Sequence, residues 1–138
     1  MNQTETETPV PDEVDPEAEY EQLSQELLHN TLNRRHRAAV QALVEERTIL
    51  SRPAVQRVLI VDSRKGRAAN FPQLSGLLYG LGLDEGQRTF LALVMSMVGL
   101  GVTTLASMED LDDRRLPIML RAILRMAGNE DLAVGRRL

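Results

Sequence analysis

The stretch TFLALVMSMVGLGVTTLASM, residues 89 to 108, decides how this chain folds. It runs twenty residues without a charged side chain, about the length that crosses the hydrocarbon core of a bilayer. Three features argue for a protein in water instead. Gly99 and Gly101 interrupt the run, and Thr103, Thr104 and Ser107 after them supply turn and capping groups. The flanks, Arg88 and Glu109, lack the one-sided positive bias that orients membrane helices. The stretch therefore reads as a buried helix followed by a loop, and membrane association through residues 89–108 is the contrary reading.

A helix that is apolar on nearly every side, as Phe90, Leu91, Leu93, Val94, Met95, Met97 and Val98 make this one, must be covered by other elements. Hydrophobic residues make up 43% of the chain but aromatics only 3%, so the cover has to be aliphatic, which favours helices over strands. Asp84 and Gln87 form a variant capping box that starts the central helix at Glu85. Downstream, the acids Asp110, Asp112 and Asp113 open a helix that runs to Ala127 and stops at Gly128, with Pro117 tolerated in its first turn. Upstream, Pro16 suits a first helical turn, and apolar residues from Tyr20 through Leu27, Val40 and Val44 recur at spacings of three and four. This pattern gives one long helix, or two with a break near His29 and Asn30, ending around Leu50.

Pro53 starts a further helix, with Ser51 as its capping candidate and Val55, Val58 and Leu59 as its apolar positions. Val-Leu-Ile-Val at 58 to 61 fits a buried strand equally well, so residues 55–61 stay open between helix and strand. Asp62 to Arg67 reads as a polar loop, and Pro72 to Tyr79 as a short helix closed by Gly80 and Gly82. The expected fold is all-α: a compact bundle of about five helices around the central apolar helix, forming a single domain over 16–138.

Charge is laid out in blocks. Residues 1 to 29 hold nine acids and no lysine or arginine; residues 30 to 67 hold nine basic residues against Glu45, Glu46 and Asp62. Residues 1–15 include Pro9 and Pro11 and too few apolar groups to offset the entropy of ordering, so a disordered acidic tail is expected there. The start lacks the basic and apolar regions of a secretory signal, and the chain has no cysteine; a cytoplasmic location is expected. The acidic block followed by a basic one also suggests an intramolecular clamp, with a solubilising tail as the simpler account.

Two arginine groups are the candidate contact sites. Arg114, Arg121 and Arg125 are spaced by seven and four, which places them on one face of the last helix, either touching an acidic partner or nucleic acid or merely solvated. Arg34, Arg35 and Arg37, with Arg57, Arg64, Lys65 and Arg67 downstream, offer guanidinium forks to phosphate oxygens. A helix, turn and helix between Asn33 and Val61 approximates a DNA-reading motif, though Gln56 and Arg57 are its only polar readers.

Catalytic and metal readings are weak. His29 and His36 stand two helical turns apart, roughly 10 Å, too far to share an ion. Asp110, Asp112 and Asp113 lack the glycine and distal glutamate of a calcium loop. No nucleophile elbow, P-loop or dinucleotide fingerprint is present. The expectation is no enzyme, no catalytic residue, no cofactor and no metal. The favoured function is a helical protein-interaction or assembly module, with a protein partner or a second copy in a homo-oligomer. The alternative is a small DNA-binding transcriptional regulator using the basic segment 34–67 on duplex DNA.

Overall fold

A computed structural model describes residues 15–138. The first helix, α1, spans Pro16–His29; Asp15 caps it by accepting from Glu17 N, and Pro16 takes the first position, where a missing N–H costs nothing. The chain breaks at Asn30, as the sequence allowed, and Asn33 caps α2, Arg34–Glu46. Pro53–Leu59 forms α3, Glu85–Met97 forms α4, and Arg115–Met126 forms α5. The expectation of a disordered tail over 1–15 falls, apart from Asp15, outside the described residues.

The uncharged stretch resolves into a buried helix and then a loop. The capping box holds: Asp84 accepts from Gln87 N, and Gln87 accepts in return from Asp84 N. Phe90, Leu91 and Val94 are fully buried, each contributing roughly 1.5–3 kcal/mol relative to exposure. After Gly99 and Gly101, both at positive φ, the chain continues as irregular coil and a 3-10 turn over Leu105–Asp110. Among the described residues no helix is long and apolar enough to cross a membrane.

The α2 helix packs against α1, α4 and α5, burying Ala39, Ala42 and Leu43 along that core. Tyr20 of α1 donates its hydroxyl to the carbonyl of Val44 at 2.9 Å, and burial pushes its phenol up to about 12. One apolar cluster joins Leu23 and Leu27 of α1, the α2 face, Val55 and Leu59 of α3, the α4 residues, and Ile118, Met119 and Ala122 of α5.

The all-α expectation needs correction. The fold is mostly helical, but Ile60–Ser63 (β1) and Gly66–Ala69 (β2) pair as an antiparallel hairpin, in register Ile60 with Ala69 and Ser63 with Gly66. Both readings of residues 55–61 are therefore realised in succession: helix to Leu59, then strand. The polar segment 62–67 is the end of β1, the turn and the start of β2 rather than a loop. Gly66 adopts φ 115°, and a Cβ there would lie 2.3 Å from a carboxylate oxygen of Glu26, so the close approach to α1 requires glycine. The expected helix from Pro72 to Tyr79 is replaced by two 3-10 turns, Phe71–Leu74 and Leu78–Gly80, separated by Gly76 at φ 78°. Ser51 does not cap α3; Arg52 occupies that position without a side-chain hydrogen bond.

Candidate functional site

The arginines of α5 sit against α2. Glu46 lies in the buried row of α2 with Ala39, Ala42 and Leu43, and its side chain is 0% exposed. Such a carboxylate is stable only if its oxygens are paired. Arg114 donates to Glu46 Oε2 and to the Glu46 carbonyl, both at 2.9 Å, and Arg115 Nε donates to the same Oε2 at 2.9 Å. Arg47 at φ 75° then turns the chain so that Thr48 donates its hydroxyl to Oε2 and Ile49 N donates to Oε1 at 2.8 Å. Gln87 of α4 reaches the Thr48 hydroxyl at 3.1 Å and is itself contacted by Arg52. One buried carboxylate thus ties α2, the turn after it and the first turns of α4 and α5 into one network.

One residue earlier, Glu45 repeats the motif at lower burial, pairing with Arg121 at 3.3 Å and Arg125 at 3.0 Å. The three arginines that share a face in the sequence therefore direct their charge at Glu45 and Glu46. Arg115, which that spacing did not single out, is the best shielded of the group at 12% exposed. A signal for this pairing does exist in the sequence: Glu46 continues the apolar row of Ala39, Ala42 and Leu43 at helical spacing. Asp112 joins from the segment just before α5, accepting from Arg115 N and pairing with its guanidinium, and the backbone hydrogen bond foremost holds its carboxyl below the usual range.

The second basic group is placed differently. Arg34, Arg35 and Arg37 occupy the first turn or so of α2, which contains no acid, and all three are exposed. None of them makes an ion pair among the described residues; Arg37 donates one Nη1 bond to the Leu28 carbonyl at the end of α1. The hairpin brings further charge to the same end of the molecule. Asn30 donates to the carbonyls of Lys65 at 3.2 Å and Arg67 at 2.9 Å, so the hairpin turn rests on the loop that leads into α2. Arg64 and Lys65 are exposed on that turn, whereas Arg67 is held by Glu26 of α1 through its backbone N at 2.7 Å and Nε at 2.9 Å. Those bonds hold the Glu26 carboxyl below its ordinary value, the backbone bond first.

Of the two readers in the helix–turn–helix segment, Gln56 donates to the Leu50 carbonyl at 2.9 Å, leaving Arg57 exposed on a helix of seven residues. The arrangement suits phosphate oxygens better than base edges. Among the described residues no group of three histidines, aspartates or glutamates is placed to hold a metal ion. No protein-family model, curated protein or solved structure matches this chain.

Proposed function

We propose that this chain is a non-catalytic helical binding module whose working surface is the basic end formed by Arg34, Arg35 and Arg37 of α2 with Arg64 and Lys65 of the hairpin. Its partner is a polyanion, and duplex DNA held through its phosphate backbone is the form we favour. One observation carries this reading. Cations at a helix N-terminus face the positive end of the macrodipole, each at a cost of about 0.3–1 kcal/mol; the first turn of α2 holds no acid, and none of the three arginines makes an ion pair with a described residue. A row of phosphates supplies the missing counter-charge, and guanidinium forks match its paired oxygens.

Fluorescence anisotropy of a labelled duplex, titrated with the full chain at several salt concentrations, tests the proposal. Affinity should fall steeply with salt, and changing Arg34, Arg35 and Arg37 to Ala should reduce the log–log slope by roughly two to three. Binding that ignores salt, or a triple variant with the same slope, would overturn it.

A second reading, self-association, rests on Tyr79, Val102 and Leu105, which are 86%, 98% and 76% exposed on the loops at either side of α4. Light scattering that shows a salt-insensitive dimer, weakened by Tyr79→Ser with Leu105→Ser, supports it; a monomer at all concentrations rules it out.

A further inference from the structure

Between the start of α2 and the end of α5 lies a cleft of about 230 Å3, lined by Arg34, Arg37, Gln41, Arg125, Gly128 and Glu130. We propose that this cleft binds a phosphate dianion, either free inorganic phosphate or a terminal phosphomonoester. The claim shares Arg34 and Arg37 with duplex binding but concerns a discrete site rather than an extended surface, and it stands or falls separately.

Three guanidiniums converge there from two helices, and two of them are anchored within the protein. Arg125 is anchored by Glu45 through Nη2, while its Nη1 is buried without an acceptor. Arg37 spends one Nη1 bond on the Leu28 carbonyl, which leaves the rest of its fork available. Arg34 lies over Gly128, where a Cβ would come within 2.6 Å of its Nη1, and it donates to no acceptor among the described residues. Gly128 at φ 77° ends α5 and, having no side chain, leaves room for that guanidinium.

Anchored forks lose little freedom when an oxyanion arrives, and several donors around one tetrahedral anion are what separates a site from a diffuse positive field. The cleft holds several times the roughly 30 Å3 share of one water, enough for a phosphate with part of its hydration. Two groups oppose an anion: the exposed carboxylate of Glu130 and the carbonyl end of α5. The N-terminal end of α2 works in the other direction, and three guanidiniums outnumber the single acid lining the cleft.

Calorimetric titration of the full chain with inorganic phosphate, against sodium chloride at matched ionic strength, tests the site. Saturable one-to-one binding with phosphate but not chloride is expected. A 5′-phosphorylated dinucleotide that competes where its 5′-hydroxyl form does not assigns the terminal monoester; competition by neither leaves free phosphate as the ligand. Arg34→Gln, which breaks no bond to a described acceptor, should weaken phosphate binding at least about tenfold, as loss of charge-assisted hydrogen bonds implies. Arg35→Gln, outside the cleft, should leave phosphate binding unchanged while lowering the salt slope for duplex. Phosphate no better than chloride, or Arg34→Gln binding as the parent does, would refute the site. Intact phosphate binding with no duplex binding would instead remove the reading of the extended surface.

Discussion

At its C-terminal end α2 carries Glu45 and Glu46, and at its N-terminal end Arg34, Arg35 and Arg37; both sets oppose the macrodipole of the helix. The two ends are treated differently. Around the glutamates the fold gathers Arg114, Arg115, Arg121 and Arg125, so the unfavourable charge becomes the junction of α2 and α5. The first-turn arginines form no ion pair with a described carboxylate, and only the exposed Glu130 lines the cleft beside Arg34 and Arg37. The same electrostatic conflict is thus solved inside the molecule at one end and left open at the other, and an open conflict in an otherwise consistent fold points to a binding surface.

The largest effect should come from the closed end. Glu46→Ala leaves Arg115 shielded and without its carboxylate partner there, and removes the acceptor of Ile49 N. Breaking a buried pair costs about 3–5 kcal/mol; because Arg114 is half exposed and can turn to water, a value near 3 is expected from the urea midpoint. Glu45→Ala, whose arginine partners reach solvent, should cost roughly 1 kcal/mol or less in the same assay. Equal losses at the two positions would break the distinction drawn between a buried junction and a surface pair.

At the open end the sign reverses. Arg35→Glu should stabilise the chain, by about 0.3–1 kcal/mol at low ionic strength, because it replaces a repelled charge with one the N-terminus favours. The gain should shrink as salt screens it. A destabilising Arg35→Glu would mean that this arginine is already satisfied in the free protein.

The smallest effect concerns the hairpin that carries Arg64 and Lys65. The Glu26 carboxyl is held below its ordinary value by Arg67, so its contribution is fully present above the unfolded-state value and is lost as pH falls through the folded one. Amide exchange at Arg67 should therefore accelerate, beyond its intrinsic pH dependence, only below the ordinary glutamate range. Unchanged protection in acid would show that Asn30 and the ladder hold the hairpin without Glu26.

Much of the helical frame was legible because it rests on local chemistry. The Asp84–Gln87 box, Pro16 at a first turn, the break at Asn30 and the stop at Gly128 are each decided within a few residues. The hairpin was not legible, since Gly-Arg-Ala-Ala is a poor strand by composition and lacks the alternation that marks one. It forms because Glu26 of α1 and Asn30 just after that helix supply partners for Arg67 and the turn, a contact made across some forty residues. The candidate surface was half legible. Spacing identified the arginines but not which of them face acids, because that depends on α5 lying along α2. Glu46 on an apolar row was the available clue.

Chemical denaturation of the parent chain and of the Arg34→Gln, Arg35→Gln, Arg37→Gln triple variant, each with and without duplex DNA, tests the uncompensated α2 terminus most directly. The account predicts a variant at least as stable as the parent when alone, and a duplex-dependent rise in the midpoint that is much smaller for the variant than for the parent. A variant that is less stable alone, yet gains from duplex as much as the parent does, would contradict it.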